Sequence, residues 1–157
     1  MKPLISVISV NYNGYALTCA MVESLRRHVT SPLEIIVVDN GSARDEAAML
    51  RERYPEIKAL RSERNLGFAG GNNLGFAAAT GDYLLLLNND TEVITAAWLE
   101  EMVMYAQQKR VGCVGAKLLY PDDTVQHAGV GFGIGGVAGH LHKYLSLIHI
   151  SEPTRPY

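Results

Sequence analysis

Two cysteines in 157 residues, Cys19 and Cys113, are too few for a disulfide-stapled scaffold. Their placement shows no CxxC or His-paired spacing of the kind that holds zinc. Both lie in apolar stretches and are expected to be buried cytosolic thiols. No apolar run approaches the ~20 residues needed to cross a bilayer. Met1-Lys2-Pro3 enters a strand-like segment with no signal-peptide cleavage pattern after it. A basic excess is missing as well. Fourteen Lys and Arg stand against 16 Asp and Glu, a net charge of −2, so the electrostatic footprint of a nucleic-acid binder is lacking. A Walker loop, GxxxxGK[ST], does not occur, and ATP hydrolysis has no support. Ser6 and Ser9 have no placed His–Asp partners, and hydrolase chemistry lacks its constellation.

What is present is ordinary in amount and ordered in arrangement. The chain is 48% hydrophobic and 19% charged, enough for one domain with a substantial core. LISVISV (Leu4–Val10), LEIIVVD (Leu33–Asp39), IKALRS (Ile57–Ser62) and DYLLLLN (Asp82–Asn88) are short apolar runs that predict strands. Helical spacing lies between them. It covers Tyr15 to Val29, a segment up to about Arg53 opened by a Ser42/Asp45 capping box, and about Gly71 to Ala79. Ile94 to Gln108 follows as a further helix and Val111 to Leu119 as a further strand, one that Gly112 and Gly115 weaken. Strands alternating with helices, each strand apolar on both faces, predict an α/β fold. Its sheet would be Rossmann-like and mostly parallel, with helices on both faces.

Polar residues gather where those strands end. Asn11-Tyr12-Asn13, Asp39-Asn40-Gly41-Ser42 and Asn88-Asn89-Asp90 each close an apolar run. In open parallel sheets ligands collect at the carboxyl ends of the strands, so these three ends are candidates for one site. The same residue types also make turns and caps, the role expected of Ser42. Asp90 at a strand exit suits Mg²⁺ or Mn²⁺, which take one or two carboxylates and complete their shell with substrate oxygens. RNLGFAGGNNLG (Arg64–Gly75) would allow close backbone approach and offer helix-terminal amides, with Arg64 as a cation, to an anionic group.

After Tyr120 the pattern changes. PDDT is a turn, and HAGVGFGIGGVAG is dense in glycine. Gly131-x-Gly133-x-x-Gly136 matches a dinucleotide fingerprint, but it comes late and VAGHLHK after it is no convincing helix, so a glycine-rich loop or bent hairpin is expected. His140 and His142 would share one strand face without a third ligand. Leu145 to Tyr157 shares nothing with what precedes it. From Leu145 to Arg155 it resembles the conceptual translation of a transposon-end sequencing adapter, and the native sequence is expected to be cut off near Tyr144.

ISVISVNYNG, EIIVVDNGS, RNLGFAGGNNLGF, GDYLLLLNNDTEV and VGCVGAKLLYPDDTVQHAG occur together, in order, from about Ile5 to Lys143. As an ordered set they resemble family-2 glycosyltransferases, above all the rhamnosyltransferase-like branch that builds bacterial surface polysaccharides. The resemblance implies a GT-A fold that binds a nucleotide-diphosphate sugar, dTDP- or UDP-linked, and a divalent metal. Carried over by position, Asn11 and Tyr12 would line the base and ribose pocket, and Asp39 would hydrogen-bond the base or ribose. Arg64 would assist the diphosphate. Asn65 and Gly67 would border the nucleotide, with Asn72 near the sugar-phosphate side. Asn88, Asn89 and Asp90 occupy the family's Asp-x-Asp position, which implies Asn88 and Asp90 at the metal and Asn89 on the donor nucleotide. Asn88 replaces the first Asp, which leaves Asp90 as the main metal carboxylate. His127 lies in a segment shared with that branch, and the resemblance implies a donor-sugar or loop-closing role for it.

The implied reaction is inverting transfer to a saccharide or lipid-linked acceptor, in the cytoplasm or at the inner face of the cytoplasmic membrane. The general base would come from an acidic segment beyond these residues. By this reading 1–120 is the nucleotide-sugar-binding core, 121–144 the start of an acceptor region and 145–157 a foreign tail. The chain by itself would bind donor with little or no transfer. A non-catalytic nucleotide-sugar-binding module is the alternative. An NAD-dependent oxidoreductase is a distant third, because NYNGY rather than GxGxxG follows the first strand.

Overall fold

A computed structural model describes residues 2–132, 138–140 and 143–145 of the chain. These form two compact units, one up to Ala97 and one from Trp98.

In the first unit β1 (Ile5–Asn11), α1 (Tyr15–His28), β2 (Leu33–Asn40), α2 (Glu46–Arg53), β3 (Lys58–Ser62), α3 (Gly67–Ala77) and β4 (Tyr83–Leu86) alternate without exception. The four strands make one sheet in the order β3-β2-β1-β4, and all three pairings are parallel. The expected α/β architecture is therefore the one observed.

Register assigns the faces. Ile8 pairs with Ile36, Val10 with Val38, and Asn11 with Asp39. Residues of one parity share a side across a parallel sheet. The even side of β1 and β2 carries α3, and the odd side carries α1 and α2 through the contacts of Asn11 and Asp39. Ile5, Val7, Ile8, Ile36, Val37 and Val38 are buried in the layer between. Met21, Val22 and Leu25 bury one stripe of α1, while Arg26, Arg27 and His28 occupy its last turn, where positive charge meets the negative end of the helix.

Several sequence expectations change here. α2 is capped by Asp45, whose carboxylate accepts from the Ala48 amide at 2.8 Å, and not by Ser42, which joins the β1–α1 turn. α3 begins at Gly67, four residues earlier than its apolar spacing suggests. Gly71 and Gly75 lie inside it and face the sheet, where a Cβ would stand 2.9 Å from Val10 Cγ1 and 2.5 Å from Ile8 Cγ2. Those two glycines bring a helix onto β-branched residues rather than a backbone onto a ligand. The four leucines ending at Leu87 do not bury uniformly. Leu84 and Leu86 are exposed on the α3 side of β4, because α3 covers β1 and β2.

The second unit holds α4 (Trp98–Ala106) and two antiparallel pairs. β5 (Leu118–Leu119) pairs with β6 (Val125–His127), and β7 (Val130–Phe132) with β8 (Ala138–His140). The strand expected over 111–119 shrinks to its last two residues. The glycine-dense segment contributes a hairpin-like ladder, as its composition suggested. Gly133, Gly136, His142 and the tail from residue 146 lie outside the described residues. Cys113 is exposed, correcting the expectation that both thiols are buried; Cys19 is buried as expected.

Candidate functional site at the carboxyl edge of the sheet

The chain runs from β1 outward to β2 and β3, then returns to add β4 on the other side of β1. The strand order therefore reverses between β1 and β4, and the crevice beyond such a reversal is where open α/β sheets bind ligands. Asn11-Tyr12-Asn13 leaves β1 on one side of it, and Asn88-Asn89-Asp90 leaves β4 on the other.

Tyr12 is 53% exposed at this edge. The turn carrying it is pinned on both flanks. Asn13, with φ of 51°, donates its amide to Ser42 Oγ at 2.8 Å and accepts the Ala43 amide at 2.9 Å through Oδ1. The β1–α1 and β2–α2 turns thus form one platform. Gly41 is required in it. Its φ is +81°, and a Cβ there would meet the Arg64 carbonyl carbon at 2.6 Å.

Asn11 and Asp39 are wholly buried rather than open to a ligand. Asp39 Oδ1 accepts the Ser42 amide at 3.0 Å. Its Oδ2 accepts the amides of Glu46 at 3.2 Å and Ala47 at 3.3 Å, at the positive end of α2. Arg61 Nη1 donates to the same oxygen at 2.5 Å, and its guanidinium also holds the carbonyls of Arg44 and Ser42. Asn11 Nδ2 donates to Glu46 Oε2 at 2.7 Å. Asn11 Oδ1 accepts from Thr18 Oγ1 at 2.9 Å and Asn89 Nδ2 at 3.4 Å. The ends of β1, β2 and β4 are therefore joined by side chains.

At the start of α3, Asn40 Oδ1 accepts the Leu66 amide at 2.9 Å, and Asn65 Oδ1 accepts the Gly67 amide at 2.8 Å. Those two amides are satisfied within the protein and are not offered to an anion. Asn40 Nδ2 also donates to Asn65 Oδ1 and the Gly67 carbonyl, both at 3.1 Å. Asn72 is buried, with Nδ2 on the Phe68 carbonyl at 2.9 Å. Arg64 is exposed beside this turn.

Asn88 and Asp90 are exposed, and the Asp90 carboxylate has no hydrogen bond or ion pair among the described residues. No group of three His, Cys, Asp or Glu side chains gathers there or elsewhere among those residues. One open carboxylate beside an amide does not make a closed metal cage. It fits a hard divalent ion that arrives with, and is completed by, phosphate oxygens.

Sequence reasoning missed Thr18, Arg61 and Glu46. Only a search for partners of Asn11 and Asp39 one element away would have raised Glu46 and Arg61.

Residues 6–135 match the family described as Glycosyl transferase family 2, and the chain belongs to that family. It is 43% identical over 145 residues to the uncharacterized protein y4gI of Sinorhizobium fredii, covering 89% of this chain and 16% of that protein. It is 40% identical over 154 residues to the O-antigen biosynthesis protein RfbC of Myxococcus xanthus, covering 96% of this chain and 12% of that protein. The chain thus spans less than a fifth of either relative. Its fold is shared with the mannosyltransferase PcManGT of Pyrobaculum calidifontis, solved with GDP-Man and Mn²⁺. There the TM-score is 0.67 at 23% identity, over 78% of this chain and 37% of that one. S. aureus TarS 1–349 with UDP-GlcNAc gives 0.56 at 24% identity, over 75% and 37%. Among the described residues no helix is long and apolar enough to cross a membrane.

Proposed function

We propose that these residues form the donor site of a glycosyltransferase that moves a sugar from a nucleotide-diphosphate sugar, dTDP- or UDP-linked, to a saccharide or lipid-linked acceptor, with inversion. The product would be a bacterial surface polysaccharide precursor. The observation carrying this reading is the pair of exposed groups on the two sides of the strand-order reversal. Tyr12 offers an aromatic face on the β1 side, and Asp90 an unengaged carboxylate on the β4 side. Family membership, the O-antigen biosynthesis relative and fold neighbours solved with GDP-Man, Mn²⁺ and UDP-GlcNAc support it.

In this reading Tyr12 stacks on the base, while Asp39 and Asn11 act from beneath by holding the two turns that shape the pocket. Arg64 approaches the diphosphate from the α3 side. Asp90, with Asn88, would hold a divalent cation, which when bound stabilises charge on the departing diphosphate. Asn65, Gly67 and Asn72 shape the α3 border.

A thermal-shift series on the 157-residue chain tests this with UDP, dTDP and GDP, each with and without Mn²⁺, and repeated on Asp90→Ala. A nucleotide at ~100 times its Kd should add ~2.7 kcal/mol of stability. The expected result is stabilisation that needs Mn²⁺ and disappears in Asp90→Ala. A folded sample whose melting point no nucleotide moves would sink the reading.

A further inference from the structure

We propose that Glu46 and Thr18 are positioning residues of the donor site, setting which end of the Asn89 amide is left free for the cation that accompanies the donor diphosphate. This rests on the donor-site reading above.

The argument begins from a carboxylate. Glu46 is 7% exposed at the first position of α2, and its Oε2 accepts from Asn11 Nδ2 at 2.7 Å and from the Gly14 amide at 3.1 Å. An oxygen that takes the Gly14 N–H is an acceptor, so the end of the Asn11 amide facing it must be the NH₂. The Asn11 oxygen is thereby turned away from Glu46 and toward α1 and β4. There it takes the Thr18 hydroxyl proton at 2.9 Å, which leaves Thr18 Oγ1 as an acceptor. Both oxygens facing Asn89 are now acceptors, Asn11 Oδ1 at 3.4 Å and Thr18 Oγ1 at 3.1 Å. Asn89 must present its NH₂ to them. Its carbonyl oxygen has no partner among the described residues, and Asn89 directly precedes the exposed Asp90 in the same turn.

The acceptor oxygen of one buried side chain thus passes through two amides as a choice of sense. An oxygen, not an NH₂, is left unpartnered on the residue next in the chain to the exposed Asp90. That matters for a site with one carboxylate, because a hard cation accepts a neutral carbonyl oxygen as ligand and an amide NH₂ cannot serve. Packing closes the alternatives. A Cβ at Gly14 would lie 2.8 Å from Asn89 Nδ2 and 3.2 Å from Asn11 Oδ1, so the turn fits tightly against both amides.

Calorimetry on the 157-residue chain measures the Kd of UDP, dTDP and GDP with and without Mn²⁺, and the readout is the ratio of the two. Wild type is expected to bind one of them at least tenfold more tightly with metal. Glu46→Ala and the isosteric Thr18→Val should each lower that ratio to about threefold or less. Glu46→Gln should keep it, because Gly14 N–H requires the glutamine to turn its oxygen inward. General loosening would weaken both constants together and leave the ratio unchanged, and an unchanged ratio in the Ala and Val variants overturns the proposal. If Glu46→Ala does not fold, Thr18→Val decides alone. A wild-type ratio of one overturns this proposal alone, whereas no binding of any nucleotide defeats the donor-site reading and this proposal with it.

Discussion

Asp39 Oδ2 and Arg61 Nη1 lie 2.5 Å apart across neighbouring strand ends, the carboxylate wholly buried and the guanidinium side chain 32% exposed. The arrangement is one-sided. Asp39 depends on Arg61 and on the α2 amides for its charge to be tolerated, while Arg61 keeps solvent on part of its surface.

Removing the cation leaves a buried carboxylate with backbone partners only, and breaking one side of a buried pair is costly. Because Arg61 is partly solvated, Arg61→Met is expected to lose about 2 kcal/mol in urea unfolding rather than the larger loss of a fully enclosed pair. A loss below ~0.5 kcal/mol would show that the α2 amides suffice.

At the opposite, amino edge of the sheet, Glu34 accepts from Ser6 Oγ at 2.5 Å, from the Thr80 amide and hydroxyl at 2.8 Å each, and from Lys58 Nζ. Burial alone would raise its pKa, but the bonds from Lys58, Ser6 and Thr80 outweigh it and hold the group at about 2, against 4.5 ordinarily. The folded state therefore binds this proton more weakly than the unfolded chain. The stabilisation is complete above pH 4.5 and is lost as pH falls toward 2. Melting curves across that window should lose roughly 2 kcal/mol more in wild type than in Glu34→Gln, after the exposure of Lys58 is discounted.

Gly75→Ala has opposite expected signs at two levels. Helix propensity favours alanine by ~1 kcal/mol. The new methyl would instead meet Ile8 Cγ2 at 2.5 Å and Val38 Cγ2 at 3.3 Å. Overpacking of this kind costs ~1–3 kcal/mol, so net destabilisation is expected in chemical denaturation. A more stable variant would mean that α3 rides further from the sheet.

Ser9 is wholly buried in β1, and its hydroxyl has no hydrogen-bond partner among the described residues. Burying an unpaired hydroxyl costs free energy that alanine avoids. Ser9→Ala should therefore stabilise the chain by about 1 kcal/mol, read as a higher urea midpoint at unchanged slope. Destabilisation would reveal a partner, such as an ordered water.

How much of this was legible beforehand depended on which physical level each feature belongs to. The alternation of strand and helix follows from local signals: β-branched runs too short for helices and apolar positions at helical spacing. The clustering of Asn11, Asp39 and Asn88–Asp90 at one edge follows almost as directly, since parallel strands carry all their carboxyl ends to the same side. The second unit was less legible. Residues 111–117 have strand-like composition, but a strand exists only by pairing, and the ladder observed there begins at Leu118.

By itself the sequence determined the parallel α/β core and its polar carboxyl edge, because both follow from periodicity and chain direction. Only the tertiary structure decided the use of each polar residue at that edge. Asn11 and Asp39 became buried supports because Glu46 and Arg61 arrive from other elements to meet them. Tyr12 and Asp90 stayed exposed at the edge where the strand order reverses. Gly71 and Gly75 became packing surfaces because α3 lies on Ile8 and Val10. Those outcomes depend on register and on contacts between distant segments, which no local pattern encodes.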